Sequence, residues 1–150
     1  MFRGVTHLAL DNKGRLAIPA RHRDALMHQG DGKLVLTADP SHCLLLYPLP
    51  NWDPIQQRLD GAVQLQRQES AALQRLLVGH ADDVEVGRCR PHPRRRRRCA
   101  STPRLEKRVV LVGQGNKFEL WDEAKWLERD RAGNRFPGGG LPPELDGFSL

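Results

Sequence analysis

The chain has 150 residues, enough for one ordinary domain or two small ones. Its 24 Lys and Arg outweigh 18 Asp and Glu, a formal net charge of +6 that suits a polyanionic partner, yet five arginines form one run at 94–98, without which the balance is about +1. Three cysteines, Cys43, Cys89 and Cys99, with no CxxC pair argue against a disulfide framework and a four-ligand zinc site, and no signal-peptide-like or bilayer-spanning apolar stretch is present, so a reduced, soluble cytoplasmic protein is expected.

Residues 5–10 partly alternate, meet the turn formers Asp11-Asn12-Lys13-Gly14, and resume at 15–18, a pattern that predicts a β-hairpin. Pro19 cannot donate a ladder bond but suits the first turn of a helix, predicted over 19–27 and ended by Gln29-Gly30. The apolar runs 33–37 and 43–47, separated by Asp39-Pro40-Ser41-His42, predict a second hairpin. Across 53–78, Ile55, Leu59, Val63, Leu65, Leu73, Leu76 and Leu77 fall largely at helical spacing, with Gly61 expected to break the segment into two helices. Short strands follow at 84–86, 109–112 and 118–121, then a helix at 123–128. From Gly133 the tail is too poor in apolar residues to bury much area and is expected to be disordered.

An internal repeat organises these elements. Leu34-Val35-Leu36-Thr37, then Leu46-Tyr47 and Trp52, matches Val109-Val110-Leu111-Val112, then Leu120-Trp121 and Trp126. In both copies the tryptophan stands five residues past the aromatic, and the two spans differ by a single residue. The sequence therefore predicts two homologous halves joined by the helical segment.

The chemically informative stretch is Asp11-Asn12-Lys13-Gly14-Arg15-Leu16-Ala17-Ile18-Pro19. Gly14 permits a tight turn, Asp11 can accept backbone N–H bonds that fix the loop, and Lys13 and Arg15 then project from its tip. Arginine presents a planar fork for guanine or phosphate, whereas lysine acts as a point charge. Arg3, Arg21, His22 and Arg23 are further candidates for phosphate contacts, with surface roles equally open to them. Nothing resembles a nucleophile with its base, a phosphate loop or a metal triad, so neither catalysis nor a cofactor is expected.

Met1-Phe2-Arg3-Gly4, Asp11-x-Lys13-Gly14-Arg15-Leu16-x-Ile18-Pro19, Leu44-Leu45-Leu46-Tyr47-Pro48, Leu76-Leu77-x-Gly79-His80-Ala81 and Leu111-Val112-Gly113-Gln114-x-Asn116-Lys117-Phe118-Glu119-Leu120-Trp121 resemble, in order and spacing, the MraZ family of bacterial transcriptional regulators. The resemblance covers roughly residues 1–86 and 105–126. It implies a mainly β fold with helices (α+β), built of two tandem swapped-hairpin AbrB-like modules of the double-split β-barrel type. It implies a nucleoid-associated repressor of a division and cell-wall gene cluster, binding repeated double-stranded DNA sites in its promoter as a ring-like homo-oligomer. By the resemblance, Lys13, Arg15 and Arg3 contact DNA while Asp11 and Gly14 form the loop. The modules are placed at 5–52 and 81–125, with a connector at 53–80 and a short helix and tail at 126–150.

The second module departs from the pattern, because the expected Asp-x-x-Gly-Arg hairpin after Val86 is replaced, across 87–104, by an arginine- and proline-rich stretch. A choice of codons for 87–93, read one base out of frame, spells Asp-Gly-Ala-Gly-Arg-Ile, so a displaced reading frame explains the segment better than an evolved phosphate-gripping arm. A metal cluster of Cys89, His92 and Cys99 lacks ligand spacing. Two other functions compete: an AbrB-like antitoxin, and a nonspecific basic nucleic-acid-binding protein. Neither a membrane nor a small-molecule substrate is expected as a partner.

Overall fold

A computed structural model describes residues 1–64, 68–87 and 105–132. Among the described residues six strands and four helices follow in the order β1 (Phe2–Ala9), α1 (Ala20–Gly30), β2 (Lys33–Ala38), β3 (Leu44–Pro48), α2 (Leu49–Gln64), α3 (Gln68–Leu77), β4 (Asp82–Glu85), β5 (Arg108–Gly115), β6 (Phe118–Asp122) and α4 (Glu123–Arg131). This is an α+β fold around one antiparallel sheet of order β1-β5-β6-β3-β2-β4.

The unbroken apolar runs of β2, β3 and β5 reflect a sheet buried on both faces, where alternation has no solvent side to serve. One face gathers Leu34, Leu36, Leu46, Leu111, Phe118 and Leu120 with Leu26 of α1. The other gathers Val35, Leu45, Tyr47, Val110 and Trp121 with Trp52 of α2, Leu77 of α3 and Trp126 of α4. The repeated tryptophans do the same work in both halves: Trp52 packs on Tyr47 at 5.5 Å and Trp126 on Trp121 at 6.0 Å.

The strand register carries the repeat into three dimensions. At the centre Leu44 faces Leu120, Leu45 faces Glu119 and Leu46 faces Phe118. Equating Leu46 with Leu120, as the repeat does, maps this register onto itself, so a local two-fold relation passes through the Leu45 and Glu119 pair. The outer strands obey it too. Leu8 of β1 faces Val109 of β5, and Val84 of β4 faces Leu34 of β2. Just beyond them, Leu10 N–H donates to the Lys107 carbonyl at 2.8 Å as Val86 N–H donates to Gly32 at 2.9 Å. Each hairpin thus pairs with the strand preceding the other. Where β1 crosses β5, a Cβ on Gly113 would lie 2.5 Å from the Arg3 nitrogen, so only glycine allows that approach.

Helix α1 ends in an αL cap, with Asp31 left-handed at φ 52° and its N–H donating to Met27 O at 3.0 Å.

Two expectations are corrected. Residues 15–18 form no strand: β5 occupies the ladder of β1, and Leu16 and Ile18 instead turn into the core before α1 begins. Gly61 does not break the helical segment but lies inside α2, exposed and with open space where a Cβ would stand. The anomalous stretch from 88 to 104, including Cys89, His92 and Cys99, and the tail from 133 lie outside the described residues.

Candidate nucleic-acid interface

The turn after β1 is held by a single carboxylate. Asp11 Oδ1 accepts the backbone N–H of Lys13 and of Arg15, both at 2.8 Å, and Oδ2 accepts Arg15 Nε at 2.6 Å. Two backbone bonds close the loop, Gly14 N–H to Asp11 O at 2.9 Å and Asp11 N–H to Arg15 O at 3.0 Å, with Gly14 at φ 70°. The Arg15 backbone N–H, followed by its guanidinium, keeps the Asp11 carboxyl below the usual carboxylate range, so the loop is braced by an ionised group.

This arrangement settles what each cation presents. Lys13 is exposed, and among the described residues no side chain pairs with its ammonium. Arg15 is half-exposed, with Nε engaged by Asp11, so its two terminal nitrogens form the free edge, the geometry for two parallel bonds to guanine or phosphate. A cleft of about 350 Å³ lies beside the loop, lined by Asp11, Asn12, Lys13 and Gly14 and by Leu105, Glu106 and Lys107.

Arg3 is not brought to this loop. It pairs with Gln114 at the opposite end of β1, roughly 20 Å of strand away. Arg21, His22 and Arg23 are drawn into the structure: Arg21 donates to the Thr6 hydroxyl and to His22 Nε2, and Arg23 Nε donates to Ile18 O at 2.8 Å. His22 is buried against Phe2 and Phe118, and that burial, then the Arg21 charge, lowers its pKa.

Among the described residues, two further features stand apart from the loop. Burial pushes the Cys43 thiol up to about 12, which removes it as a nucleophile. A second cleft of about 530 Å³, between β2 and β4, sets Lys33 against Asp83 and Glu85 and is unsuited to a polyanion. Among the described residues no group of three or more His, Cys, Asp or Glu could hold a metal ion, and no helix is long and apolar enough to cross a membrane.

The sequence reading missed Lys107. Its one available signal was its place at the entry to β5, and only the pairing of β1 with β5 reveals which loop it adjoins.

Comparison with known proteins sharpens the picture. Residues 1–76 match the family model described as "MraZ protein, putative antitoxin-like". The chain is 52% identical over 154 residues to a protein of Nitrosomonas europaea named transcriptional regulator MraZ, with both chains covered completely. It is 52% identical over 153 residues to the namesake from Methylobacillus flagellatus, again over the whole of both chains, and 47% identical over 152 residues to that of Pseudomonas aeruginosa, covering 97% of each.

Proposed function

The chain belongs to the MraZ family of transcriptional regulators, and on that footing we propose that it is a sequence-specific DNA-binding repressor of a division and cell-wall gene cluster. The observation that supports this reading most is the Asp11-braced turn, which presents Lys13 and the terminal edge of Arg15 to solvent on a preordered backbone. Ordering the loop before binding reduces the entropy lost when it meets DNA. Arg15 reads base edges, Lys13 holds phosphate, and Arg3 serves a separate backbone contact.

One such loop makes few contacts, so affinity comes from several loops engaging repeated promoter sites on a ring-like homo-oligomer through effective concentration. Within each chain the modules are AbrB-like units at 5–52 and 81–125, joined by the connector at 53–80. The symmetric register favours this division. The protein works in the cytoplasm, on the nucleoid.

The second module lacks its reading loop across 87–104, and the composition there favours a displaced reading frame. Resequencing the codons for 86–105 tests it: a single-base displacement supports the reading, and an intact frame contradicts it.

The family description favours one second reading, an antitoxin that binds a partner protein as well as DNA. Both are tested by titrating the purified chain into a duplex carrying the promoter repeats and into a scrambled duplex. Preference for the repeats supports the repressor. A stoichiometric co-purifying toxin, with no such preference, supports the antitoxin.

A further inference from the structure

Resting on the DNA-binding reading above, we infer that the interface is composite: Lys107, contributed from beyond the repeat's midpoint, takes a DNA phosphate opposite Lys13, and the neighbouring Glu106 weakens that grip. Lys13 and Lys107 both line the cleft beside the loop, which is roomy enough for a sugar-phosphate unit. The segment carrying Lys107 is fixed at three points. Leu105 is buried in the core, Glu106 N–H donates to Asp122 Oδ1 at 2.9 Å, and the Lys107 carbonyl accepts Leu10 N–H at 2.8 Å. The side chains of Glu106 and Lys107 are left exposed on a backbone that cannot drift from the loop.

The neighbouring cation is differently committed. Arg108 Nε is bound by Glu123 Oε2 at 2.6 Å, whereas among the described residues no ion pair engages Lys107. The equivalent position beside Val86 is Gly32, preceded by Asp31, so the corresponding wall there holds an acid and no cation. Among the described residues the phosphate clamp therefore belongs to the Asp11 loop.

The test measures binding of the full chain to the promoter-repeat duplex and to a scrambled duplex over a salt series. Lys107→Ala should weaken both alike, on the order of eightfold per loop at 0.1 M salt, and reduce the salt slope by about 0.9 per loop. Glu106→Gln should strengthen both. Lys33→Ala, in the remote cleft, should change neither affinity nor slope. If Lys13→Ala weakens binding while Lys107→Ala behaves as the parent, the composite interface is wrong and the DNA-binding loop stands. If neither lysine matters, both readings fail.

Discussion

The two halves of the molecule agree in their sheet and differ in the segments that leave their outer strands. Val109 to Val112 repeats the burial of Leu34 to Thr37, the central strands share a self-mapping register, and both halves stack a tryptophan on an aromatic of the preceding strand. Yet where Leu10 is followed by Asp11-Asn12-Lys13-Gly14-Arg15, the equivalent Val86 is followed by Gly87-Arg88-Cys89-Arg90-Pro91. The determinants of the sheet are apolar runs spread over many residues. Those of the proposed reading loop are a carboxylate, a glycine and two cations in five, which can be lost without disturbing the strands.

A second comparison isolates the cations. The β2–β3 turn repeats the Asp11 geometry: Asp39 N–H donates to Cys43 O at 3.0 Å, Asp39 Oδ1 accepts Ser41 N–H at 2.8 Å, and His42 is left-handed at φ 64°. Its residues Asp39-Pro40-Ser41-His42-Cys43 carry neither lysine nor arginine. The braced turn is thus a device of the fold, and on the proposed function Lys13 and Arg15 are what suit one copy to DNA.

The largest test compares the equivalent core positions. Leu46→Ala and Leu120→Ala each empty a fully buried site beside the two-fold relation, and each should cost about 2–5 kcal/mol in denaturant unfolding. A much smaller cost for Leu120→Ala would show that the second half packs loosely and would break the equivalence.

Rebuilding the missing loop comes next: Gly87→Asp, Arg88→Asn, Cys89→Lys, Arg90→Gly and Pro91→Arg together. Affinity for the repeats should rise by about 1–3 kcal/mol per loop, although these changes lower the net charge by one. Unchanged or weaker affinity would mean that position 87 is not the counterpart of Asp11.

Replacing Arg94, Arg95, Arg96, Arg97 and Arg98 by Ser should weaken binding to all duplexes alike and flatten its salt dependence. Loss of repeat preference with nonspecific binding spared would make the arginine run a recognition element.

The smallest effect is on pH. Because Asp11 is held below its usual value of about 3.9, its brace is fully present above that pH and fades as pH falls through the lowered value. Asp11→Asn should remove this acid limb from operator binding while the rest of the fold titrates unchanged; an identical acid limb in the variant would place the titrating group elsewhere.

Much of the fold was legible in the sequence. Long apolar runs and the paired tryptophans announced the strands and the repeat, because burial on both faces demands them. The fate of residues 15–18 was not, since Leu16 and Ile18 suit a strand as well as a core loop and only the partner of β1 decides. Gly61 misled because an exposed helical glycine costs only about 1 kcal/mol relative to alanine. In the candidate site, the loop residues Asp11, Lys13, Gly14 and Arg15 were local and therefore readable. The place of Lys107 depends on long-range pairing, which no local pattern encodes, whereas the separation of Arg3 from the loop follows from the length of β1.

The most direct test of DNA reading by the Asp11 loop is Arg15→Ala, assayed on the promoter-repeat and scrambled duplexes alongside circular dichroism. The turn should survive, since Asp11 keeps its two backbone donors and Gly14 its bond. The expected result is an unchanged fold, a loss of about 1–3 kcal/mol per loop on the repeats, and a smaller loss on the scrambled duplex that erases the preference. Operator affinity equal to that of the parent chain would contradict it.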